Sequence, residues 1–96
     1  MSQQAIVEST TLEREVSISD NFRIHTIGVV VSGGVVRVDA QVPGGNYEPV
    51  MDTATGQPLE LIGTESITLS EIAMQKLKFK PDGATYSAIV TSQAYD

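Results

Sequence analysis

The chain has 96 residues, with six basic side chains against twelve acidic ones and a formal net charge of -6. The only basic cluster is Lys76, Lys78 and Lys80, which reads as one solvated strand face rather than a phosphate-binding patch, so no nucleic-acid partner is expected. The sequence has no cysteine, which excludes disulfide stapling, thiolate catalysis and Cys-based zinc sites.

Residues 1–11 read as a flexible arm or an edge strand, and residues 12–96 as one β-sandwich domain. Within the arm only Ala5, Ile6 and Val7 form an apolar patch. Backbone pairing needs no special side chains, so this patch is a candidate assembly segment that adds a strand to a neighbour's sheet. The opening Met1-Ser2-Gln3-Gln4 is unlike a secretory signal. No apolar run approaches the ~20 residues of a membrane span, so synthesis in a cytoplasm and no membrane partner are expected.

Leu12, Arg14, Val16 and Ile18 alternate with Glu13, Glu15 and Ser17, the pattern of a half-buried strand. Phe22 to Val31 is the next strand. Its apolar parity changes between Phe22-Ile24-Thr26 and Ile27-Val29-Val31, which predicts a bulge or bend near Thr26 to Gly28. Ser32-Gly33-Gly34 then reads as the tight turn of a hairpin whose second strand is Val35 to Val42. Pro43-Gly44-Gly45-Asn46 is a second turn. Tyr47 to Met51 contains Pro49, which makes it an edge strand or a bulge. Asp52 to Gln57 is a third turn. Pro58 to Ile62 and Glu65 to Leu69 are short strands parted by Gly63. Ser70 to Leu77 is either a two-turn helix capped by Ser70 or the approach to another strand. Leu77 and Phe79 face inward while Lys76, Lys78 and Lys80 face water. Pro81-Asp82-Gly83-Ala84 reads as a turn, and Tyr86, Ala88 and Val90 share a face of the last strand.

The fold class expected is therefore all-β: a single small sandwich or jelly-roll-like barrel of about seven or eight short antiparallel strands. Aromatic residues make up only 5% of the chain and Trp is absent. A core of Val, Ile and Leu in so short a chain is thin, and oligomerisation is the usual remedy.

Chemistry is hard to find. His25 is the only histidine, and its parity places it on the strand's outer face or in an interface. No metal-ligand spacing surrounds it. Glu13 and Glu15 share a solvated strand face, as chance pairs do. Asp52-Thr53-Ala54-Thr55-Gly56 lacks the alternating acidic ligands of a calcium loop. No catalytic residue, metal or cofactor is expected. Tyr47 and Tyr86 are the candidate surface contacts, since tyrosines on a sandwich can stack on sugars. A carbohydrate-binding module for host attachment is thus the alternative reading.

The segment Ser32 to Val50, with its Val36-Arg37-Val38-Asp39-Ala40-Gln41 strand, its glycine turn and the aromatic Tyr47, resembles small bacteriophage virion domains. The later runs Ser66 to Leu69, Leu77 to Gly83 and Tyr86 to Thr91 are similar to their closing strands. The resemblance spans residues 22–92. It implies a non-enzymatic structural protein of the virion: a capsid decoration or cement protein, a head or tail fibre piece, or a tail adaptor. It also implies a homo-oligomer, most often a trimer, docked on a capsid or tail protein.

Overall fold

In a computed structural model, residues 2–18, 22–69 and 74–94 are described. Nine strands occur among them: β1 (Ser2–Thr10), β2 (Arg14–Ser17), β3 (Phe22–Gln41), β4 (Tyr47–Pro49), β5 (Met51–Asp52), β6 (Gln57–Pro58), β7 (Glu60–Leu61), β8 (Thr64–Leu69) and β9 (Lys76–Ala94). The fold is all-β and antiparallel. Seven of these strands form one sheet, and β5 and β6 form a small hairpin.

Two long strands organise the molecule. β3 has 20 residues and β9 has 19. They pair antiparallel in one register from Ile24↔Gln93 to Gln41↔Lys76. β1 and β2 follow one another along the outer side of β9, and β8, β7 and β4 line β3. The sheet is a four-strand ribbon folded in half, with its two halves facing each other across the core.

The fold line is written in the apolar parity. In β3 the buried apolar residues on either side of the line are Ile27, Val29 and Val31, then Val36 and Val38. In β9 they are Leu77 and Phe79, then Ala84, Tyr86, Ala88 and Val90. Both strands exchange their inner face between these groups. The exchange falls at Gly33, with φ 99°, and at Gly83, with φ 66°. One residue with positive φ breaks the period of two, and glycine adopts it without penalty. Gly63, with φ 68°, marks the same line between β7 and β8. On the other flank the chain crosses at residues 11–13, where the Tyr86 hydroxyl donates to the Leu12 carbonyl at 3.0 Å.

The structure corrects two expected turns. Ser32-Gly33-Gly34 is not a hairpin: Val31 pairs with Tyr86 and Val36 with Pro81. Pro81-Asp82-Gly83-Ala84 likewise lies inside β9. The strands are accordingly fewer and longer at the centre than the expected short ones. The expected bulge moves as well. Gly28 sits in a regular ladder, opposite Ile89 on one side and Ser66 on the other. The irregularity lies between Phe22 and Ile24. Of the segment expected as helix or strand, Lys76 and Leu77 belong to β9, and residues 70–73 lie outside the described residues.

Other expectations match. Pro43–Asn46 makes the hairpin that joins β3 to β4, with Gly44 at φ 76° and the Gly45 N–H donating to the Val42 carbonyl at 2.9 Å. Pro49 sits on an edge strand. Leu77 and Phe79 are fully buried while Lys76, Lys78 and Lys80, which alternate with them, reach solvent.

The core is one cluster drawn from both halves of the ribbon. Phe79 and Tyr86, from opposite sides of the fold line, meet with ring centroids 5.8 Å apart and planes tilted by 36°. Val36 and Val38 are fully buried in it. Val36→Ala and Val38→Ala are each expected to cost about 1–3 kcal/mol through lost apolar burial and a partial cavity. Denaturant melts check this, and transitions that overlay the parent would refute the facing of this strand.

Candidate functional site

Three places hold the residues to which the sequence directs attention. The first is the outer edge. Ser2–Thr10 pairs along β9 from Ser2↔Gln93 to Thr10↔Tyr86, with an irregularity between Val7 and Thr10. The alternation of β1 sends Val7 into the core, leaves Ala5 half-buried and turns Ile6 out to solvent. The candidate segment Ala5-Ile6-Val7 is thus part of a strand of the protomer's own sheet. Among the described residues no strand pairs with its other side, and the segment contains no Lys and no Pro to blunt that edge.

The second place is a charged surface on the half of the ribbon that holds β2, β4 and β7. Arg37 pairs with Glu60 at 2.7 Å and with Asp82 at 3.5 Å, and Lys80 pairs with Asp39 at 3.2 Å. The Tyr47 hydroxyl donates a short hydrogen bond to the Glu15 carboxylate. Lys78 Nζ lies 4.2 Å from the centroid of the Tyr47 ring. This hydrogen bond, with help from Lys76 and Lys78, holds the Glu15 carboxyl below its ordinary range. Burial, and then the same bond, push the Tyr47 phenol up to about 12.

Two signs follow. The Glu15 contribution to stability is present above the ordinary carboxylate range and fades as pH falls through the depressed value. The Tyr47 contribution is present below pH 10 and fades as pH rises to about 12. Tyr47→Phe is expected to return Glu15 toward its ordinary titration range. Following the Glu15 carboxyl carbon by NMR tests this, and an unmoved midpoint would refute the bond.

Neither tyrosine offers a sugar platform. Tyr86 is 1% exposed, so its placement as a surface contact is corrected: the parity exchange at Gly83 turns it into the core. Tyr47 is partly exposed, but Lys78 lies over its ring and Glu15 holds its hydroxyl.

The third place is His25, expected on the outer face and found fully buried. The irregularity between Phe22 and Ile24 shifts the strand by one residue and turns His25 inward. Its Nδ1 and the Ser92 Oγ share a hydrogen bond of 2.8 Å. A Ser–His pair at this distance has the geometry of an activated nucleophile. Ser92 is 1% exposed, however, and sits inside the core with its partner, where no substrate atom reaches the oxygen.

Glu13 and Glu15 lie on the exposed side of the molecule. Asp52 closes the β5–β6 hairpin: its Oδ1 accepts from the Ala54 N–H at 2.9 Å and its carbonyl from the Gly56 N–H at 2.8 Å. Among the described residues, no group of three or more His, Asp or Glu side chains is placed to hold a metal ion. Among them also, no helix is long and apolar enough to cross a membrane.

No family model and no curated protein sequence matches the chain. Solved structures do share the fold. The crystal structure of the SPBc2 prophage-derived protein YomS superimposes with a TM-score of 0.63 at 12% identity, covering 97% of this chain and 96% of that one. A protein of the Bacillus endospore appendages, a family of disulfide-linked pili, matches with a TM-score of 0.52 at 8% identity, covering 100% of this chain and 88% of that one. Both likenesses are of fold, spread over the whole chain.

Proposed function

We propose that this chain is a non-enzymatic structural subunit of a phage-derived assembly, which self-associates and docks on a larger capsid or tail protein as a decoration or cement protein does. The observation that carries the reading is the match over nearly the full length of both chains to a prophage-derived protein. The second neighbour, a pilus component, supports an assembling role for a fold of this kind. The disulfide linkage of those pili is not available here, because this chain has no cysteine. Contacts between copies must then be noncovalent, through sheet edges or sheet faces.

Two features of the molecule agree with such a role. The polar atoms that a catalyst would use are either buried, as in His25 and Ser92, or engaged with one another on the surface, as in Tyr47 and Glu15. Among the described residues β1 lies at the edge of its sheet, where a further strand can add.

The test is direct. Particles purified from cells that carry the gene are probed by mass spectrometry and electron microscopy for this chain, and the isolated protein is sized by light scattering. Recovery in particles at a fixed copy number supports the reading, and a trimer would match the stoichiometry implied by the resemblance. A monomer with no affinity for any particle would overturn it.

A further inference from the structure

The two outer faces of the folded ribbon differ in a way that the core does not require. The face carrying β2, β4 and β7 holds the ion pairs described above. The opposite face, over β1, the second half of β9, the first half of β3 and β8, carries little charge among the described residues. In register across those four strands lie Gln4, Thr91, Thr26 and Thr68; then Ile6, Ile89, Gly28 and Ser66; then, alongside Glu8, the residues Ser87, Val30 and Thr64. Glu8 is the only charged residue in these rows. Ile6 is 64% exposed, Val30 54% and Ile89 46%. They border an open hollow of about 670 Å³ over Gly28.

We infer that this face is the contact with a second copy of the chain, packed face to face about a two-fold axis running along the strands. The inference rests on the self-association reading and names its surface. The argument is one of shape and charge. Along the central row the large residues, Ile6 and Ile89, occupy one side and the small ones, Gly28 and Ser66, the other. A two-fold along the strands reverses the order of strands in the facing copy. Ile89 then lies over the partner's Gly28, and Ile6 over the partner's Ser66. In the next row the same operation sets Val30 over the partner's Ser87, and Glu8 over the partner's Thr64.

Each bulky group thus meets a hollow, and the two carboxylates stay apart by the width of the sheet. Three strand spacings come to roughly 14 Å, beyond the ~8 Å screening length of physiological salt. Copies that each carry a net charge of -6 can approach at this face with little opposition between like charges. Four strands ~4.8 Å apart, each offering three or four outward residues, present roughly 500 Å² per copy. Two such faces bury ~1,000 Å², the lower limit for a specific interface, so the pair is expected to be weak.

Gly28 supplies a variant that separates assembly from folding. A Cβ added there meets nothing within 4 Å in the protomer, and its φ is not in the left-handed region. Gly28→Val should therefore fold at least as well as the parent while filling the hollow that receives the partner's Ile89.

Sedimentation equilibrium of the full chain, up to ~100 µM to reach a weak pair, is compared for the parent, Gly28→Val, Ile89→Glu and Ile62→Glu. Ile62 is an exposed aliphatic residue outside this face. The expected result is a parent that forms even-numbered species. Gly28→Val and Ile89→Glu should weaken association on the order of tenfold or more, with melting of the dilute protein unchanged, while Ile62→Glu associates as the parent does. An oligomer indifferent to Gly28→Val and Ile89→Glu, or an odd-numbered one such as a trimer, would overturn the face pairing and leave self-association standing. A parent that stays monomeric would overturn both.

Discussion

Gly34→Ala is expected to abolish the fold or to cost about 4 kcal/mol or more, a loss reserved for changes that the surroundings cannot absorb. A Cβ at residue 34 would sit 1.9 Å from the Asp82 carbonyl oxygen and 3.0 Å from carbons of residues 82 and 83. All three atoms are backbone, inside β9 and paired with β3 on both sides of the contact. Relief would require the two central strands to part at the fold line, where the two halves of the ribbon are hinged together. The φ of Gly34 is not in the left-handed region, so the effect is steric and should grow with side-chain size. Circular dichroism and denaturant melts measure it. A Gly34→Ala protein melting within a few degrees of the parent would show that the two strands do not approach so closely.

Phe79→Ala is the second large effect, expected at about 3–5 kcal/mol. Phe79 is fully buried and belongs to the half of β9 that pairs with β2 and with the second half of β3. Its ring meets Tyr86, which belongs to the other half. Removing it leaves a cavity between the two halves, and a core built mainly from Val, Ile and Leu has few large neighbours to collapse into it. Against a total stability of roughly 5–15 kcal/mol for a small domain, the loss is a large share. Tyr86→Phe is the informative partner. It keeps the ring contact and loses only the hydrogen bond to the Leu12 carbonyl, which should cost about 0.5–1.5 kcal/mol. Equal losses for the two variants would show that the ring packing across the fold line matters little.

The elements were legible where the pattern was regular. The alternations of Val36 and Val38 and of Leu77 and Phe79 named the inner face correctly, and that of Tyr86, Ala88 and Val90 placed the three on one face, because a pleated strand half in water leaves that trace. What could not be read locally was the partner of each strand. Ser32-Gly33-Gly34 between two valine runs satisfies the rule for a hairpin, and a positive φ serves a fold line as well as a turn. A trace of the answer was present. The apolar parity changes between Val31 and Val36 and again between Phe79 and Tyr86, and a change shared by two strands is what a ribbon folded along one line produces.

His25 and Tyr86 were misplaced for separate reasons. His25 was assigned from a parity counted on the wrong side of the irregularity at Phe22–Ile24, whereas Tyr86 was taken as a surface contact for its residue type although it shares a face with the buried Ala88 and Val90. The sparsely charged outer face escaped notice for a different reason. Ile6, Val30 and Ile89 come from three distant parts of the chain, and only the register of β1, β3 and β9 sets them side by side.

The position of β9 has a consequence for biosynthesis. It is the last strand in chain order, yet it lies between β3 on one side and β1 and β2 on the other. While a ribosome adds residues at roughly 5–20 per second, the long valine-rich β3 and the edge strand β1 wait without their main partner. Before β9 emerges β3 has only its pairings with β4, β7 and β8 on one side, and its other side stays open. Folding therefore waits for β9 and is dominated by pairings distant in sequence, the class of topology that folds in milliseconds to seconds. Until then the chain presents unpaired apolar strands to its neighbours, and crowded polysomes are where aggregation would begin.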